Sequence, residues 1–286
     1  MRKIAKILFP TDFSENAQSA FQHALVFADL MNASIKVLHA VYPESAPLDV
    51  PVVAVQPTLQ KVETAKEIQK QFVDFCTTKA KEMHQFQHEI DVATEVEVGT
   101  LTNTVIDTVK KENIDLIIMG IRAKHNIFEK VFGSASRSII SNAPCHVLVL
   151  PEGMNVGTIE SVGYATDLMK SDPQHILEVV QLLKPFNPVV KCIHIQTSKK
   201  EKTQMDFDEF VQFFKDERPG LHISFYQLEG LDPVHRLNKF IETWGVDLMV
   251  MFAPHRNMWE HLIYVSTTQK MAFKSQVPLL ILRDPV

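Results

Sequence analysis

Gly120, Gly133, Ser134 and Ser136 fall within one stretch, GIRAKHNIFEKVFGSAS (120–136), between an apolar run and a helical pattern. Residues of these types at such a junction can hold phosphate. A glycine lets backbone N–H groups approach an oxygen with no side chain between them. The first turn of a helix leaves N–H groups unpaired, and its dipole favours negative charge. Arg122, Lys124 and Lys130 put a basic flank on the same loop, which helps neutralise phosphate. The chemistry expected is anion binding. Ser134 and Ser136 as nucleophiles would need a histidine base and an orienting acid, and the sequence assigns neither, so no catalytic residue is named. A Walker-type ATPase is disfavoured because G-x4-G-K-[ST] is absent. Slow hydrolysis would require Mg-ATP in the loop with a carboxylate such as Glu129 nearby.

The elements that must position this loop follow from periodicity. Asp115 to Met119 is uniformly apolar after its aspartate, as expected for a strand buried on both faces of a parallel sheet. Ser136 to Ser141 reads as a short helix stopped before Pro144. Upstream, Ile4 to Pro10 makes a first strand, and Thr11-Asp12-Phe13-Ser14 makes a turn with two candidate N-caps. Ala17, Ala20, Phe21, Ala24, Leu25 and Ala28 then recur at helical spacing. Ile35 to Val41 is the next strand. A proline-bearing segment, Tyr42 to Pro57, is too long for a tight connection and predicts an excursion or lid. An amphipathic helix from about Leu59 to His84 follows, then a strand over 90–98, a helix over 101–111 and a last strand over 146–150. Strands alternating with helices in this rhythm predict an α/β fold with a doubly wound, mostly parallel sheet.

The second half repeats the first. SVGYATD (161–167) answers KILFPTD (6–12), and VKCIHIQ (190–196) answers IKVLHAV (35–41), with His39 and His194 in the same slot. PLLIL (278–282) answers HVLVL (146–150). Two homologous domains are expected, at 1–151 and 158–286, consistent with a length prior of about two domains for 286 residues.

Composition excludes several classes. A hydrophobic share of 45% suits a globular chain with real cores. A net charge of −5 with no face-long basic block gives no reason to expect nucleic-acid binding. No apolar stretch reaches the roughly 18 residues of a membrane span, and no cleavage site follows the N-terminal strand, so a cytoplasmic protein is expected. Cys76, Cys145 and Cys192 are isolated within apolar patterns and read as buried free thiols. His39 and His194 are read as satisfied strand histidines; no carboxylate or cysteine cluster accompanies them to make a metal site.

With PTDFS after the first strand, DLIIMG at the end of the fourth and GSASRSIISNAPCHVLVL at the close, the first half resembles a universal stress protein domain. The second half resembles another. The resemblance implies two five-stranded, Rossmann-like sheets of the adenine nucleotide alpha-hydrolase type, in tandem. It also implies a stress-response sensor or regulator that binds ATP, or AMP or ADP, with or without Mg. The nucleotide-binding branch carries G-x2-G-x9-G-[ST], and Gly120, Ala123 and Gly133-Ser134 fall in that spacing, with alanine replacing the second glycine. The site residues so implied are Pro10, Thr11, Asp12, Ala40, Met119, Gly120, Arg122, Ala123, Gly133, Ser134, Ala135 and Ser136. If position 123 needs a left-handed backbone, alanine costs roughly 1–2 kcal/mol there, which weakens the site without abolishing it. In the second half the matching positions are Phe252, His255, Val265 and Ser266. Every loop glycine is gone, so triphosphate binding is expected to be lost there, with Phe252 and Trp259 filling the space. Family members pair through their last strands, which implies an intramolecular pseudo-dimer and allows a homodimer. Two other readings stay open: an interaction scaffold with vestigial sites, and a different small ligand in the second domain or at the excursion.

Overall fold

Both halves fold as the strand–helix rhythm predicts, into two units spanning Arg2–Gly157 and Thr158–Asp284. The computed structural model describes residues 3–43, 55–121, 134–153, 159–197, 203–217, 221–253, 267–268, 270–272 and 275–284.

In the first unit the chain runs β1 (Lys6–Pro10), α1 (Glu15–Met31), β2 (Ser34–Val41), α2 (Val55–Met83), β3 (Val92–Val98), α3 (Leu101–Glu112), β4 (Leu116–Ile121), α4 (Ser134–Asn142) and β5 (His146–Pro151). The strands are parallel and lie in the order β3-β2-β1-β4-β5. The helix α2 begins before the predicted Leu59. Pro57 is accommodated because it lies in the first turn, where its missing N–H has no intrahelical partner. Of the predicted excursion, residues 44–54 lie outside the described residues. The central strands carry the core: Ile7, Leu8, Phe9, Val37, Leu38, Leu116, Ile117 and Ile118 are each no more than 1% exposed. They are covered on the α1 side by Phe21, Ala24 and Leu25. Burial of both sheet faces is what makes these strands uniformly apolar instead of alternating.

The second unit repeats this with β6 (Ser161–Thr166), α5 (Asp172–Leu182), β7 (Val189–Gln196), α6 (Phe207–Glu217), β8 (Ile223–Glu229), α7 (Pro233–Trp244), β9 (Leu248–Phe252) and β10 (Leu279–Leu282). Its strands are parallel in the order β10-β9-β6-β7-β8.

The repeat extends to individual hydrogen bonds. Asp115, before β4, accepts the backbone N–H groups of Ala5 and Lys6, both at 3.0 Å. Asp247, before β9, accepts those of Glu160 and Ser161 at 3.0 and 2.9 Å. In each unit one carboxylate ties the start of a central strand to its neighbour. The third helices also match: Thr100 and Asp232 cap α3 and α7, and Asn113 and Gly245 end them in the left-handed conformation.

Candidate functional site

In the first unit β1 and β4 lie side by side, yet the chain proceeds from β1 outward through β2 and β3, and from β4 in the opposite direction to β5. The strand order therefore reverses between them, and open α/β sheets bind ligands outside the carboxyl ends of the strands at such a point. The sequence-derived residues gather around this point. Asp12 follows β1, Ala40 is the penultimate residue of β2, and Met119 and Gly120 lie near the end of β4. Ser134, Ala135 and Ser136 form the first turn of α4. Arg122, Ala123 and Gly133 lie outside the described residues.

The turn after β1 is held in an uncommon shape. Phe13 has φ of 61°, the left-handed region, which costs a non-glycine residue roughly 1–2 kcal/mol. Three contacts hold it there. The Thr11 hydroxyl accepts the Phe13 N–H at 3.0 Å, the Phe13 ring stacks on His39 at 4.4 Å between centroids, and it meets the edge of Phe72 at 5.6 Å. His39 Nδ1 lies 2.8 Å from the Thr11 carbonyl oxygen. A carbonyl can only accept, so Nδ1 carries the proton. The strand histidine is thus part of the scaffold of this turn. Asp12 itself is exposed, and its Oδ1 accepts the Ser14 N–H at 3.0 Å, while Ser14 Oγ accepts from Ala17 at the start of α1. One hydrogen bond uses a fraction of a carboxylate's acceptor capacity. Asp12 can both shape the turn and accept from a ligand hydroxyl.

Gly120 has a different origin from that of a flexible loop glycine. Its φ is not positive. A Cβ there would lie 2.8 Å from Ala20 Cβ and 3.0 Å from Asn16 Nδ2, both on α1. Glycine is demanded by the close approach of the first helix to the end of β4. Pro10, Thr11 and Met119 are buried, whereas Ala40, Ala135 and Ser136 are partly exposed.

The second unit keeps the turn and changes its surroundings. Leu168, 155 positions after Phe13, is also left-handed (φ 57°); its N–H is accepted by the Thr166 hydroxyl at 3.0 Å, and His194 Nδ1 donates to the Thr166 carbonyl at 3.1 Å. Here the Leu168 carbonyl also accepts the N–H groups of Gln204 and Met205 at 3.1 and 3.0 Å, so the segment before α6 closes onto the turn. Phe252 stands in the slot of Gly120, with its ring stacked on His175 at 3.8 Å. His255, Trp259, Val265 and Ser266 lie outside the described residues.

Beside this turn is a buried polar network that reading for motifs missed. Asp172, 3% exposed, accepts from the Tyr164 hydroxyl (3.2 Å), the Thr166 hydroxyl (2.6 Å) and the Met169 N–H (3.0 Å). Burial, and then the negative charge of Asp172, push the Tyr164 hydroxyl well above its ordinary range, so it remains a donor. A signal was present in the repeat. At the 155-residue offset, the buried Phe9, Ala17 and Ala20 of the first unit become Tyr164, Asp172 and His175.

The three cysteines are buried; burial pushes the Cys76 thiol up to about 12 and that of Cys192 up as well. No helix among the described residues is long and apolar enough to cross a membrane.

Comparison with known proteins is consistent across the chain. Residues 3–151 match the model of the Universal stress protein family. A universal stress protein of Methanocaldococcus jannaschii is 28% identical over 145 residues, covering 51% of this chain and 81% of its own length. One of Synechocystis sp. is 27% identical over 304 aligned positions, covering 97% of this chain and 99% of the relative. The crystal structure of a universal stress protein from Archaeoglobus fulgidus superposes with a TM-score of 0.74 at 18% identity, over 99% of both chains. That likeness bears on the fold of both halves.

Proposed function

The chain belongs to the universal stress protein family as a tandem of two family-like halves, and on that footing we propose that its first unit binds an adenine nucleotide. What supports it is that exposed Asp12 follows β1, that Met119 and Gly120 lie near the end of β4, and that α4 begins at Ser134, on either side of the β1/β4 switch point. Asp12 would accept from the ribose. The N–H groups opening α4, with Gly133 and Ser134, would receive phosphate, and Arg122 would add positive charge. ATP, ADP and AMP all fit this division of labour, and Mg would accompany the longer phosphates. The proposed role is that of a cytoplasmic stress-response sensor or regulator whose two units pair as a pseudo-dimer, with homodimerisation open to a sedimentation measurement.

The second unit is proposed to bind no triphosphate. Phe252 replaces Gly120, and the Gln204–Met205 backbone closes on the turn that would face a ligand.

Thermal unfolding with millimolar Mg-ATP, ADP or AMP tests the reading. At a hundredfold excess over the dissociation constant, nucleotide adds about 2.7 kcal/mol, a rise of about 5–10 °C for a unit of this size. The Ala123→Gly variant should bind more tightly. No shift with any of the three, together with no gain from A123G, would sink the proposal and favour a scaffold with vestigial sites.

A further inference from the structure

His175 sits in α5 with both ring nitrogens facing carboxylates at slightly more than hydrogen-bonding distance. Nδ1 is 3.8 Å from Asp172 Oδ1, and Nε2 is 3.7 Å from Asp284 Oδ1, just beyond the end of β10. The residue is 6% exposed, and Nδ1 is buried without a hydrogen-bond partner. The face of the ring lies on Phe252 at the end of β9, with centroids 3.8 Å apart and planes 23° from parallel. A neutral imidazole has one N–H and can serve only one of the two carboxylates. An imidazolium has two N–H groups and can serve both, and its charge is also attracted by the aromatic face beneath it.

Of the other groups around the ring, the carboxylates favour the charged form and the cation Arg283 opposes it. Asp172 receives hydrogen bonds from Tyr164 on β6, Thr166 and Met169 and gives none, the pattern of an acceptor-only carboxylate. These three donors are neutral, as is the buried thiol of Cys192 on β7, which lies within electrostatic reach of Asp172. Asp167, in the turn after β6, adds negative charge near Tyr164. On α5 itself Glu178 is bonded by Gln174. The nearby cation after β10, Arg283, donates to the Ala253 carbonyl. At repeat-equivalent positions Tyr164, Asp172 and His175 stand where the first unit has the buried apolar residues Phe9, Ala17 and Ala20. A buried carboxylate in such a place is expensive without a counter-charge.

We infer that the second unit carries a proton-operated latch, in which protonated His175 bridges Asp172 on α5 and Asp284 after β10 and fastens the end of the last strand over Phe252. Gain of the second ring proton closes the latch; its loss leaves the ring able to serve only one of the two carboxylates and loosens the strand end. This does not depend on nucleotide binding by the first unit.

The test uses the full chain. Amide hydrogen exchange across 279–284 is followed from about pH 8 to about pH 5.5, the range in which histidine changes charge, and is corrected for intrinsic exchange. Protection should rise severalfold toward the acid end, and the side-chain NMR signals of His175 should show both ring nitrogens protonated there. The H175Q variant should lose the pH dependence at these amides. D284N, which alters an exposed carboxylate and leaves the core intact, should reduce it even if H175Q folds poorly. A wild-type pH profile retained in D284N, or His175 still neutral at about pH 5.5, overturns the inference.

Discussion

Asp12 combines a local role with the ligand-directed one proposed for it. Its Oδ1 caps the turn by accepting the Ser14 N–H, and an asparagine oxygen can do the same. The D12N variant should therefore melt close to wild type but bind nucleotide about tenfold or more weakly, since a hydrogen bond to a charged group is worth about 1.5–3 kcal/mol. Titration calorimetry on both proteins checks this. Gly120 separates the other way. Its substitution by alanine forces a Cβ to within 2.8 Å of Ala20 Cβ and 3.0 Å of Asn16 Nδ2, and overpacking of this kind costs about 1–3 kcal/mol. The expected result for G120A is a lower urea midpoint with an unchanged slope, before any effect on ligand is considered. A glycine that looks like part of a phosphate loop thus also carries a packing constraint between a helix and a strand.

Helix α1 of the first unit is fastened to the segment that follows α2 by Asp29, which lies in the last turn region of α1 and is fully buried. It accepts from His84 Nε2 at 2.8 Å, from the N–H groups of Gln87 and His88, and from the His88 ring. Burial alone would raise its pKa; the Gln87 N–H, then the His84 and His88 contacts, outweigh burial and hold the carboxyl below its ordinary 3.8. The folded value is the lower one, so this contribution is complete above about pH 3.8 and is lost as pH falls below that, through the folded value. An Asp29→Asn variant should lose about 2–4 kcal/mol at neutral pH, and its acid-unfolding curve should lack the part of the wild-type slope that lies below about pH 3.8. Equal acid slopes in the two proteins would show that the carboxylate is not responsible.

At the scale of the whole molecule, the two units share a topology and diverge at the edge where a ligand is proposed to bind. One has Gly120 near the end of β4; the other closes its turn with backbone from its own crossover and has Phe252 at the position matching Gly120. Differential scanning calorimetry of the full chain should accordingly resolve a nucleotide-sensitive component and a nucleotide-insensitive one, with the A123G variant enlarging only the former. Much of this was legible from the residues alone. Strand and helix periodicity, the cap candidates of the Thr11 to Ser14 turn, and the repeated PTD and ATD turns set the α/β class, the two-part organisation and the place of Asp12, because they depend on local propensity and on burial of both sheet faces. Tertiary structure decided what depends on approach between distant segments: that Gly120 is demanded by α1, that His39 and His194 brace left-handed turns through backbone carbonyls, and that Asp172, His175 and Asp284 converge. Most of these partners lie far apart in the chain, and no local pattern records which side chains a parallel crossover brings to the same strand end.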